Sequence, residues 1–384
     1  MSTPIALRGK LLIGTHLEPG TVVLEDGKIA EMHRGVSPDG DLPGTVIDAD
    51  IISPGLIDLQ VNGGWGREAT ADPRDIDHIS RSMLSTGATA WLPTIVTSAA
   101  EAYPPLFESW PGHDPSAGSM PLGYHLEGPF LAPEKKGAHR LEYIEAADEA
   151  LFTSWLGQES IALVTLAPER DGATERIRRL VDAGVLVSLG HTNATYEEFV
   201  AGIDAGARKA THLFNAMTSI HHRAPGAMVA TLVDDRVTAG LIPDGVHSHP
   251  ATVRLALKTK GVDNIVIVSD MMSACGLGPG TYPLGTMEVT VTEDSARLAD
   301  GTLAGSILTM DQALRNLVSW SDATPGEALH MMTAVPARLI GDTSRGRLVT
   351  GARADITAWS ADLQPTHTIV GGRMMWQARH APVE

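Results

Sequence analysis

Four side chains able to do chemistry recur at one kind of place in this chain. Glu127, His191, His212 and Asp270 each close a short run of buried-type residues. One carboxylate and two imidazoles match the three-ligand plan of a catalytic zinc, which keeps a fourth position open for water. Asp270 is then left over as a base for that water. The competing reading is a buried hydrogen-bonded cluster without an ion. His125 stands two residues before Glu127 and projects to the same face of a strand, so either could bind a metal. Earlier, Asp58-Leu-Gln-Val-Asn62 supplies Gln60 and Asn62, amides that are weak ligands, so a second strong site is not expected there.

Residues 208–226 add to this set. His212 ends a short buried run, Asn215 follows in a loop, and Arg223 arrives just before Pro225-Gly226. Its guanidinium is a planar fork suited to phosphate or carboxylate.

The elements that must position these groups can be read from the pattern. Strands are expected over 52–58, 88–96, 120–127, 161–167, 185–191, 209–214, 237–243 and 265–270, with helices between several of them at 173–183, 196–205 and 250–260. Eight strands with intervening helices make an α/β chain with a (β/α)8 TIM-type barrel, an open doubly wound sheet being the alternative. A barrel gathers strand ends around one mouth, which is why shared strand-end placement carries more weight than spacing. Helices continue at 310–320 and 325–333.

Both ends of the chain have β texture. Glu25-Asp26-Gly27 turns a hairpin between 21–24 and 28–32, Asp39-Gly40 and Pro43-Gly44 mark turns, and Gly371-Gly372 turns another hairpin between 367–370 and 373–376. Strands at both ends can pair, so residues 1–53 and 347–384 are expected to form one small β domain beside a barrel of 54–346.

The chain has 384 residues, 43% hydrophobic and 20% charged, with a formal charge of -17. That balance repels nucleic acid and anionic membrane, and an anionic substrate would need a few placed cations. One cysteine, Cys275, excludes an intrachain disulfide. Met1 to Gly14 lacks signal-peptide features, and no apolar run approaches the roughly 20 residues of a membrane helix. A cytoplasmic protein is expected.

Several segments carry a resemblance. They are Pro54-Gly-Leu-Ile-Asp-Leu-Gln-Val-Asn-Gly63, His125-Leu-Glu-Gly-Pro-Phe130, Lys136-Gly-Ala-His139, Gly190-His-Thr-Asn193, Thr211-His-Leu-Phe-Asn-Ala-Met217, Arg223-Ala-Pro-Gly226, Asp244-Gly-Val-His247, Val268-Ser-Asp270 and Leu303-Ala-Gly-Ser306. In this order they resemble the amidohydrolase superfamily and, within it, the N-acetylglucosamine-6-phosphate deacetylase family. The resemblance implies that the small domain built from both termini is a β-sandwich. The resemblance implies metal binding by Glu127, His191 and His212, leaving His125 a neighbour. It implies Asp270 as the catalytic aspartate and His139 as the group that orients or polarises the substrate acetyl. Asn215, the Ala216 backbone, Arg223 and His247 match sugar-phosphate contacts, with Arg223 reaching across a homodimer. One divalent ion per subunit is implied, zinc foremost, with iron, manganese or cobalt as alternatives. Gln60 and Asn62 replace the superfamily's first-strand histidines, leaving Gln60 as a weak ligand to any second ion. The reaction implied is hydrolysis of N-acetylglucosamine 6-phosphate to glucosamine 6-phosphate and acetate. The Gly- and Pro-rich stretch from Gly276 to Gly285 is the candidate closing loop.

Overall fold

Eight parallel strands follow one another around the barrel in chain order. They are β1 (Leu56–Val61), β2 (Ala88–Val96), β3 (Tyr124–Glu127), β4 (Ile161–Leu166), β5 (Leu186–Leu189), β6 (Lys209–Ala210), β7 (Thr238–Leu241) and β8 (Ile265–Ile267). The computed structural model describes residues 3–35, 37, 42–70, 72–110, 114 and 116–378. The Asp39-Gly40 turn and residues 1–2 and 379–384 of the expected end domain lie outside these.

The barrel closes just beyond the last ladder residues of β8. Asp270 N–H donates to the Gln60 carbonyl and Asn62 N–H to the Met271 carbonyl, both at 2.9 Å. Asp58 supports the same seam from inside, its Oδ1 accepting the Gln60 and Ser269 N–H groups at 3.2 Å each.

Helices cover the outside. In Ala173–Asp182, Ala173, Ile177 and Leu180 are buried, the spacing of one helical stripe. Tyr196–Asp204 and Pro325–Met332 begin with reciprocal capping boxes, Thr195 with Glu198 and Thr324 with Glu327. No helix among the described residues is long and apolar enough to cross a membrane.

The two chain ends meet in a separate seven-stranded sheet. Ile356–Trp359 pairs antiparallel with Thr45–Pro54, so Ile356 faces Pro54 and Trp359 faces Ile51. Its own apolar core includes Leu7, Val22, Ile29, Ile52, Ile356 and Ile369. The expected strand over 52–58 is corrected here. Thr45–Pro54 belongs to the end sheet, and the barrel strand starts at Leu56. Gly55 divides them because a Cβ there would lie 2.0 Å from Thr89 Oγ1. The strand expected over 120–127 is likewise two pieces, Met120–Pro121 and Tyr124–Glu127.

An insert follows β8. Gly280–Leu284, Met287–Val291 and Ala296–Arg297 form a small antiparallel sheet that absorbs part of the stretch expected to be a closing loop.

Candidate active site

The site residues lie past the ladder, where the chain leaves the barrel. Glu127 is the last residue of β3, but His191 and His212 come two residues after β5 and β6, and Asp270 three after β8. His191, His212 and Asp270 hold φ of 48, 30 and 52°, the left-handed region that costs a non-glycine residue roughly 1–3 kcal/mol. The surrounding hydrogen bonds over-determine that conformation. Ala132 N–H donates to the His191 carbonyl, Leu213 N–H to Gly240, and Ser306 N–H to the Asp270 carbonyl. The turns aim the three side chains inward at the mouth.

There they meet Glu127. Its Oε1 lies 3.3 Å from His191 Nε2 and 3.2 Å from His212 Nε2, and the two nitrogens are 3.0 Å apart. Ligands bound tetrahedrally at roughly 2.0–2.2 Å would stand roughly 3.3–3.6 Å apart, so this triangle is close to that size. His191 Nδ1 is 2.8 Å from the Lys135 carbonyl, which fixes its proton on Nδ1 and turns the Nε2 lone pair toward Glu127. Three electron-rich atoms facing one point suit a divalent cation, and nothing in the donor set opposes it.

The charges agree. Burial alone would push the Glu127 pKa up, yet hydrogen bonds and attraction from His191 and His212 hold it well below the usual carboxylate range. Burial alone would depress His191, yet its hydrogen bond and charge attraction to Glu127 raise it. Without an ion, a proton is the cation these groups compete to share.

His139 offers a second possible donor set, since ligand atoms of Glu127, His139 and His191 lie within 4.8 Å of one another. In the triangle with His212 all three separations are 3.0–3.3 Å. His139 Nδ1 instead accepts the Thr97 N–H at 3.2 Å, and the ring stands edge-on to His191 at 4.4 Å. Burial, then the neighbouring imidazolium charge of His191, lowers its pKa to about 3. Neutral His139 therefore carries its proton on Nε2, as a donor. Gly137 lets this loop lie close, since a Cβ there would meet His191 Cε1 at 3.1 Å.

Asp270 Oδ1 accepts from Asn62 Nδ2 at 2.7 Å and from Gln60 Nε2 at 3.1 Å. Burial, then the charge of Glu127, raises the Asp270 pKa to about 7. Gln60 Nε2 also reaches Glu127 at 3.2 Å, so its donor end faces both carboxylates. An amide held this way links the candidate base to the Glu-His-His triangle. The sequence pattern marked Gln60 and Asn62 only as poor ligands; their spacing beside a strand-end carboxylate is the cue to this second role.

A cavity of about 450 Å³ opens above, lined by His139, Asn215, Ala216, His247 and Asp270 together with the triangle. That is within the usual range of small-molecule sites, roughly 300–1,000 Å³. His247 Nδ1 sits 2.6 Å from Asp244 Oδ2. Burial would lower the His247 pKa, but this bond and charge raise it. Arg223 does not line the cavity: it is exposed, with Nη1 2.7 Å from His222 Nε2. His125 lies deeper, held between Thr94 Oγ1 at 3.2 Å and Thr165 Oγ1 at 2.8 Å.

The chain matches the amidohydrolase family over residues 51–375. It is 34% identical over 376 residues to the N-acetylglucosamine-6-phosphate deacetylase of Bacillus subtilis, covering 95% of each chain. It is 37% identical over 335 residues to the N-acetylgalactosamine-6-phosphate deacetylase of Escherichia coli O157:H7, covering 85% of this chain and 88% of the relative. The structure superposes with a TM-score of 0.91 at 32% identity on an aspartate-to-alanine variant of the Mycobacterium smegmatis deacetylase in complex with N-acetyl-D-glucosamine 6-phosphate, covering 97% of this chain and 100% of that one. With the barrel, the buried Glu-His-His triangle and these likenesses together, the chain belongs to the amidohydrolase family, among its N-acetylglucosamine-6-phosphate deacetylases.

Proposed function

We propose that this cavity hydrolyses the acetamide of N-acetylglucosamine 6-phosphate, giving glucosamine 6-phosphate and acetate in amino-sugar metabolism. The observation that carries the reading is the convergence of Glu127, His191 and His212 beside Asp270. These three residues would hold one divalent ion; zinc is the reading, since His2Glu with an open position is a known catalytic zinc set, with iron, manganese or cobalt as alternatives. Bound there, the ion supplies Lewis acidity, which brings the pKa of a water to about 7.

The chain's own groups do the rest. Asp270, held by Asn62 and Gln60, takes the proton of the attacking water. Neutral His139 donates from Nε2 to the acetyl oxygen as negative charge develops, a contact worth roughly 3 kcal/mol when well placed. Asp270 then returns its proton to the nitrogen as the C–N bond breaks, because an amine is too basic to leave unprotonated. One carboxyl thus serves as base and then as acid. Asn215 and the Ala216 backbone position the sugar, and His247 meets the phosphate. The family resemblance puts Arg223 at the phosphate of a second subunit in a homodimer, and its exposure outside this chain's own cavity leaves it accessible for that role. A phosphorylated substrate and a single cysteine support a cytoplasmic setting.

The test is acetate release from N-acetylglucosamine 6-phosphate, its unphosphorylated sugar and the galactosamine epimer. The first should be turned over far faster than the second. The 37% relative makes the epimer the second substrate to try. Equal turnover with and without phosphate would point to another amidohydrolase reaction.

A further inference from the structure

Arg297 also lines the cavity, and the reading above gives it no task. It ends the last strand of the insert, where it pairs with Thr290 and is bridged antiparallel to Leu303. Leu303 belongs to the wall of the same cavity. The side chain is anchored on both sides: Nε donates to Ser295 Oγ at 3.2 Å and Nη1 to the Gly301 carbonyl at 2.9 Å. A guanidinium carries five N–H donors in one plane. These anchors set the plane and leave the Nη2 side of the fork for a ligand.

Its place within the cavity is also informative. Among the described residues, the lining includes two permanent cations, Lys135 and Arg297. Lys135 meets the triangle through its backbone carbonyl, which accepts from His191 Nδ1. Arg297 is near enough to His247 for its charge to oppose protonation of that ring. His247 and Arg297 line the same cavity, His247 already paired with Asp244, in a chain whose formal charge is -17. Like charges brought together in a cavity are stabilised by an anion between them.

We propose that Arg297 binds the substrate phosphate from within the same chain, opposite His247. This rests on the phosphorylated amino-sugar reading of the site. The barrel then supplies the imidazole, the insert supplies the fork, and anchoring of the insert over the mouth is coupled to phosphate recognition.

The test uses the full-length, metal-loaded protein with Arg297→Met, Arg297→Lys and Arg223→Ala. Steady-state constants are measured for N-acetylglucosamine with and without the 6-phosphate, together with inhibition by inorganic phosphate. Arg297→Met should raise KM for the phosphorylated sugar roughly 10- to 100-fold and weaken inhibition by phosphate in parallel. Turnover of the unphosphorylated sugar should stay within about twofold, which also shows that the variant folds. Arg297→Lys should recover part of the loss, since it keeps charge but not the fork. An unchanged KM in Arg297→Met, or equal loss on both sugars, overturns the proposal. If the wild-type protein itself ignores the phosphate, the substrate reading fails instead, so the two failures are distinguishable.

Discussion

Asn62 Nδ2 donates to Asp270 Oδ1 at 2.7 Å across the seam where the barrel closes. The backbones of the same two segments form that seam, through Asp270 N–H to Gln60 and Asn62 N–H to Met271. Closure of the fold and orientation of the proposed base are thus one structural event. Asn62→Ala should lower kcat roughly 10- to 100-fold, as losses of supporting hydrogen bonds do. The bond holds the Asp270 pKa down against burial, so its loss should move the acid limb of the kcat profile to higher pH. A lowered kcat with an unmoved limb would make Asn62 a packing residue only.

Asp270 itself carries the proton in this account. Asp270→Asn should reduce turnover by about 10²–10⁴ while metal content stays near wild type, because the triangle does not include it. Near-normal turnover would remove Asp270 from the mechanism.

His247 should act as a protonated donor to phosphate. Its pKa is raised by Asp244, so charge persists above the usual histidine range and is lost as pH rises through the raised value. KM for the phosphorylated sugar should therefore climb on the alkaline side. Asp244→Asn should bring that climb to lower pH, since it removes the hydrogen bond and the charge that hold the proton. The two profiles coinciding would count against a charged His247.

Lys209 is the odd group in the barrel interior. It is fully buried, and its Nζ has no hydrogen-bond partner among the described residues. Burial lowers its pKa to about 8, against the pull of Glu127, Asp270 and Asp58. Between that value and 10.5 the unfolded chain binds more protons than the folded one, so this group makes stability rise with pH in that window. Chemical denaturation at pH 8 and 10 should show wild type gaining on Lys209→Met, by on the order of 3 kcal/mol at most. Parallel stabilities would mean the ammonium is solvated inside the barrel.

Much of this was legible in the residues. Glu127, His191, His212 and Asp270 stood out because buried runs end at each, and the structure brings all four together. What periodicity could not show is that three of them lie past the ladder in left-handed turns, since nothing in a histidine or aspartate announces a positive φ. Gly55 divides two strands inside one apolar run, so the hydrophobic pattern starts the first barrel strand at 52 where the structure starts it at Leu56. Arg297 gives no such cue, since it sits in an exposed hairpin, where an arginine is ordinarily solvated. Arg223, by contrast, carried a motif, yet one chain leaves it outside the cavity.

The central claim is that one divalent ion held by Glu127, His191 and His212 is needed for hydrolysis. Acetate release from N-acetylglucosamine 6-phosphate should be measured after chelation and after adding back single divalent ions, with metal content determined in each sample. Activity should vanish on stripping and return as about one ion per chain is restored, and a Glu127→Gln, His191→Asn double variant should neither hold the ion nor recover. Full turnover by metal-free protein would contradict the account.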